Sequence, residues 1–193
     1  MKRLFTSLFF LSISYFSYCQ NNVAVVNKIQ NFYVFTDCQP LGEYELIGEV
    51  NTSGSNDPEI KKSNGQYQPV RDFLIKTARQ VNYTADGIIL SLVNGGIDKA
   101  VIIKFKENSI NNSHAKVNQY QGVYVFVDNE PFNETDYVGT IKDKGKASNS
   151  QYTTLRDRLI SRCKNEFTNT RGMIIKFVNG GIDTGDLIKF KNQ

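Results

Sequence analysis

An α+β fold of two tandem ββαββ repeats is expected, each a four-stranded mixed sheet with one amphipathic helix on one face, packed together as an intramolecular pseudo-dimer. Three observations lead there. The run Val93-Asn94-Gly95-Gly96-Ile97-Asp98 returns as Val178-Asn179-Gly180-Gly181-Ile182-Asp183, and Ile103-Lys104-Phe105-Lys106 returns as Ile188-Lys189-Phe190-Lys191. Equivalent residues stand 91 apart in the front halves (Val34 and Val125, Pro40 and Pro131, Gly48 and Gly139) and 85 apart behind (Tyr67 and Tyr152, Arg71 and Arg156, Gly87 and Gly172). Short alternating apolar stretches flank one stretch of helical period in each copy.

In the first copy, residues 32–36 and 45–50 read as two antiparallel strands about the Pro40-Leu41-Gly42 turn. The six residues by which the spacings differ fall in the polar stretch 51–65, expected to be a surface loop, with 142–150 as its shorter counterpart. Val70, Phe73, Leu74, Ala78 and Val81 keep helical spacing, as do Leu155, Leu159, Cys163 and Phe167, with Pro69 suited to a first helical position and Thr153 to an N-cap. A strand at Gly87 (Gly172 in the second copy) then leads into a hairpin. Asn94, Gly95 and Gly96, with Asn179, Gly180 and Gly181, supply its turn, since Asn and Gly tolerate positive φ. The competing use of Asn94, Asp98, Asn179 and Asp183 as calcium ligands falls short of the about six to eight oxygens that ion takes. In the last strand Val101, Ile103 and Phe105 alternate with Ile102, Lys104 and Lys106, and the first set is expected to meet the helix. The other face, apolar at Ile89, Val93 and Ile102, invites burial against the sister repeat, because a unit of this size has a marginal core alone.

The start of the chain has the order of a secretory signal: Lys2-Arg3, an apolar run from Leu4 to Phe16, then Ser17-Tyr18-Cys19 before polar residues. This divides the chain into a signal peptide (1–19), a first repeat (20–106), a polar linker (107–119) and a second repeat (120–193). The apolar run is shorter than the roughly 20 residues of a membrane span, so no transmembrane span is expected. Cleavage before Gln20 is favoured. Lipidation of Cys19 is the minority alternative, disfavoured by the bulky Tyr18.

Removing the signal leaves 21 basic against 19 acidic residues, which gives no electrostatic case for nucleic acid. Cys38 and Cys163 then remain. An exported pair could bond, but Cys163 lies on the apolar side of its helix beside Leu159, where a buried thiol is the plainer reading. His114 is the sole histidine and falls in the expected linker, so no catalytic triad, His-based metal site or cofactor motif can be assembled, although paired carboxylates stay open. The candidate contacts are Arg71 and Arg156, at the same helical position in both copies, and Lys104, Lys106, Lys189 and Lys191, with Lys176 beside them. For the arginines a solvated helix face competes with an anion contact; for the lysines, strand-edge protection competes with a basic row for an anionic surface. Tyr67 and Tyr152 are expected to cap the core.

With Val34, Pro40, the pattern Tyr-x-x-Ile-Gly-x-Val over Tyr44, Ile47, Gly48 and Val50, then Arg71, Ala85, Gly87 and Ile88, the first repeat resembles the family of small βαβ envelope domains. That family includes the stress-sensor lipoprotein of the Rcs phosphorelay and proteins labelled heavy-metal-binding. Val125, Pro131, Val138, Gly139, Ile141, Arg156, Gly172 and Met173 carry the resemblance into the second copy. It implies a sheet-and-helix domain that works by protein contacts at the cell envelope. The sensor's bonded cysteines have no counterpart here, and thiol and imidazole metal ligands are missing, so no family site residue carries over. The expected function is therefore that of a secreted or periplasmic, non-enzymatic binding module without cofactor or metal, its partner an envelope protein or anionic surface component. The alternatives are a carboxylate-dependent hydrolase of envelope carbohydrate, or a small-ligand carrier with a pocket between the repeats.

Overall fold

The computed structural model describes residues 21–63, 65–143, 151–178 and 181–191. The signal segment with Cys19, the turn residues Asn179 and Gly180, and most of the loop 142–150 lie outside them. The elements run β1 (Val23–Val26), β2 (Lys28–Ile29), β3 (Phe32–Phe35), β4 (Cys38–Pro40), β5 (Tyr44–Asn51), α1 (Pro58–Ser63), α2 (Tyr67–Val81), β6 (Gly87–Ser91) and β7 (Lys99–Phe105). The second copy follows as β8 (His114–Val117), β9 (Gln119–Tyr120), β10 (Val123–Phe126), β11 (Asn129–Pro131), β12 (Thr135–Lys142), α3 (Tyr152–Glu166), β13 (Gly172–Lys176) and β14 (Thr184–Phe190). The fold is α+β, and each copy contains one mixed sheet.

Those mixed sheets have five strands, not four, in the orders β2-β3-β6-β7-β5 and β12-β14-β13-β10-β9. The extra strand comes from a tight hairpin whose two turn residues both take positive φ, Gln30 (50°) and Asn31 (64°) in one copy and Gln121 (51°) and Gly122 (88°) in the other. The expected antiparallel pairing of 32–36 with 45–50 does not occur. β3 runs parallel to β6, whereas β5 pairs with β7 on the opposite edge. The burial patterns explain the separation: β3 is buried on both faces, as a strand flanked on both sides should be, while β5 is largely open and suits an edge. Gly48 and Gly139 sit beside equivalent bulges in the two edge strands.

The helices begin at Tyr67 and Tyr152, with Gln66 and Gln151 as N-caps, so Pro69 is not the first helical residue and Thr153 is not a cap. Burial of the two tyrosines fixes these starts, and neither glutamine makes a side-chain cap. The inserted stretch 51–65 is not all loop: it contains α1, whose Ile60 packs against the core. Both faces of β7 are used, with the reverse orientation to that expected. Ala100 and Ile102 pack under α2 with Leu74, Ile75 and Ala78, while Ile103 and Phe105, with Val101 at the margin, join a second core on the other side. Small Ala100 lets the helix approach, which alternation alone does not reveal.

The second core lies under a third sheet, ordered β11-β1-β8-β4. β8 falls inside the stretch 107–119 expected as linker, so the irregular connection ends at Ser113. β1 and β8 pair antiparallel with Ala24 opposite Ala115, two residues related by the 91-residue spacing. β4 pairs with β8, and β11 with β1, so every neighbouring pair in this sheet joins one copy to the other. Cys38 is buried in this second core and Cys163 in the first; both are free thiols, and the disulfide is not formed. Burial, with the nearby Asp37 charge, pushes the Cys38 thiol up to about 12.

Candidate functional site

Two reciprocal clusters form where the N-termini of α2 and α3 converge. Asp37 and Asp128 occupy the bends after β3 and β10, both at positive φ (53° and 55°), which Asp tolerates better than most residues. Each receives side chains from the helix of the other copy. Asp128 Oδ2 accepts from Tyr67 OH at 2.6 Å and Arg71 Nη1 at 2.9 Å, and the Thr36 and Tyr67 hydroxyls lie 2.7 Å apart. Asp37 accepts from Tyr152 OH, from Arg156 Nη1 at 3.2 and 3.3 Å, and from Tyr120 OH at 2.8 Å. Arg71 and Arg156 are 11% and 12% exposed at the side chain, so neither lies on a solvated helix face, and each reaches a carboxylate of its own chain. Arg156 also lies over the Tyr120 ring at 3.9 Å.

The electrostatics describe a clamp. Burial and the Asp128 charge push the Tyr67 phenol well above its usual range, and burial with Asp37 does the same to Tyr152. Tyr120 is pushed up to about 12 by burial and Asp37. The phenols therefore stay protonated at neutral pH and donate permanently to the carboxylates. Burial opposes the guanidinium charges, but the Asp72 bond with Asp128 holds Arg71 charged, and Asp37 holds Arg156. The Tyr67 and Tyr152 rings lie 5.3 Å apart, with Phe177 stacked on Tyr67 at 4.4 Å, so aromatic side chains fill the space between the helix starts.

The lysines of the expected basic rows have acids beside them. Lys106 pairs with Glu43 at 3.0 Å and Lys191 with Glu134 at 3.2 Å, while Lys176 pairs with Asp186. Lys104 stands opposite Glu45 and Lys189 opposite Asp136 in the strand register, so each lysine faces an acid. Asn94, Gly95 and Gly96 lie in the turn joining β6 to β7, with Gly95 at φ 67°. Asp98 and Asp183 tie these loops, accepting the Val93 and Val178 N–H groups at 2.9 Å each, and burial raises both carboxyls. The first hairpin also crosses to the other copy, where Gly95 N–H donates to Gln151 Oε1 at 2.8 Å. Four aliphatic side chains stay open at the hairpin ends: Val93 and Ile97 are 48% exposed, Val178 44% and Ile182 50%. His114 lies on β8 with its ring against Phe132.

Sequence reasoning missed Asp37 and Asp128. Their one signal was a shared Asp at the 91-residue spacing, directly after a strand. Among the described residues, no three His, Cys, Asp or Glu side chains group to hold a metal, and no helix is long and apolar enough to cross a membrane. Fold and site together define an α+β protein in which two largely buried Arg–Asp pairs, each with a Tyr hydroxyl, join the two copies. No family model, curated protein or solved structure matches the chain.

Proposed function

We propose that this is an exported, non-enzymatic interaction module of the cell envelope, whose two repeats act as one intramolecular pseudo-dimer presenting a matched pair of hairpins. The observation that carries this reading is the identity of Val93–Asp98 with Val178–Asp183, combined with the exposure of the valine and isoleucine in each. Asn-Gly-Gly with the tethering Asp is enough to build the turn; folding does not require two open aliphatics beside it, in both copies. The leading Lys2-Arg3 and apolar run support export. Its binding chemistry is apolar contact with an envelope protein, since the lysines are matched by acids. The enzymatic alternative has less support, because Asp37 and Asp128 are each occupied by a buried Arg and Tyr.

Replacing Val93, Ile97, Val178 and Ile182 together by serine is expected to shift the melting temperature by only a few degrees, since these side chains are half open. The same variant, carrying a photo-crosslinker at Asn94 in its native host, is expected to lose the discrete envelope adduct that the parent forms. An adduct of unchanged yield, or no adduct from the parent, would overturn the proposal.

A further inference from the structure

The two copies differ most where the first carries six extra residues, and that difference makes a cavity. α1 folds over the start of α2 and leaves a cleft of about 230 Å³, below the roughly 300 Å³ at which drug-sized pockets begin. Phe73 and Ile60, both partly open, with Pro69, form its apolar wall. Asp57, Asp72, Gln30 and Lys76 supply acceptors and donors around it. Arg71 holds Asp72 through Oδ1 at 2.8 Å, which fixes that carboxylate.

On α3 the second copy lacks the ring and the proline of this wall. Arg158 stands where the first has Phe73, and it grips Asp143 through two bonds of 3.0 and 2.5 Å. Ser161 stands in place of Lys76 and Thr154 in place of Pro69. The aromatic ring, the proline and the lysine thus occur together in one copy and are replaced together in the other.

We infer that this cleft binds a monosaccharide-sized sugar. A pyranose has a C–H face that stacks on an aromatic ring and a rim of hydroxyls that both donate and accept, which matches a Phe and Pro wall edged by two carboxylates, an amide and an ammonium. The paired acids disfavour an anion, and Lys76 disfavours a cation on the same wall. The site lies within the first repeat and includes no residue of the Asn-Gly-Gly turns, so it stands or fails separately from the interaction role.

The test is a titration of the ¹⁵N-labelled full chain with glucose, galactose and N-acetylglucosamine in turn, and with ethylammonium chloride as a charged contrast. At least one sugar should give saturable millimolar shifts centred on the amides of Gln30, Asp57, Phe73 and Lys76. Asp57→Asn or Lys76→Ala should each weaken binding about tenfold, the loss of one hydrogen bond to a ligand. Phe73→Arg, which installs the residue of the second copy, should abolish it, and the dispersion of the remaining amide signals shows that each variant stays folded. No saturable shift with any sugar, shifts that survive all three variants, or ethylammonium binding in place of sugar would overturn the inference.

Discussion

Asp128→Ala is expected to destabilise the protein by about 3 kcal/mol, because it strips the buried Tyr67 hydroxyl and the Arg71 guanidinium of their shared acceptor at once. Removing one partner of a buried ion pair costs more than the pair contributes, since the charge left behind has little access to water. Residual exposure, 11% for Arg71 and 18% for Asp128, keeps the expected loss at the lower end of that range. Asp157→Ala is the control. Asp157 bonds Arg156 from the solvent side at 60% exposure, and its loss should cost less than about 1 kcal/mol. Urea unfolding of the two variants checks the contrast; equal losses would mean that the cross-copy bonds carry no special weight.

Gly87→Ala is expected to be as damaging for a steric reason. A Cβ there would lie 2.5 Å from the Tyr33 carbonyl oxygen and 2.8 Å from the Tyr33 Cβ, where β6 runs directly alongside β3. Backbone cannot withdraw as a flexible side chain can, so the parallel pair must part or shift. The cost is about 3 kcal/mol, a fall in melting temperature on the order of 10 °C for a chain of this size. Gly54→Ala has open space around its Cβ and only a left-handed backbone to strain, and should cost about 1 kcal/mol. Thermal unfolding of both separates steric from conformational cost. Similar melting temperatures would show that β3 and β6 are not held at this close approach.

The duplication was legible because two constant spacings persist through the chain, and the helices and final hairpins because their periods are regular. What escaped depends on partners distant in sequence. Val23–Val26 and His114–Val117 are four-residue strands among polar neighbours, and their pairing at Ala24 and Ala115 spans 91 residues. No local pattern encodes that contact. The face of β7 that meets α2 was misjudged for a related reason: both faces are buried, so alternation shows that two faces exist without saying what covers each. Arg71 and Arg156 were visible as a repeated pair, but their carboxylate partners lie 57 and 119 residues away, on bends with no apolar period of their own.

The contact most central to this account is the third sheet, in which each copy completes the other. A protease site placed at Asn108, in the connection between Phe105 and His114, would separate the copies covalently while leaving all three sheets intact. After cleavage, native size-exclusion chromatography with light scattering should find both fragments in one species with the mass of the uncut chain, parting only in denaturant. Fragments that elute separately at their individual masses without denaturant would contradict the account, because the pairing of β1 with β8 and the Asp37 and Asp128 clamps could not then be holding the copies together.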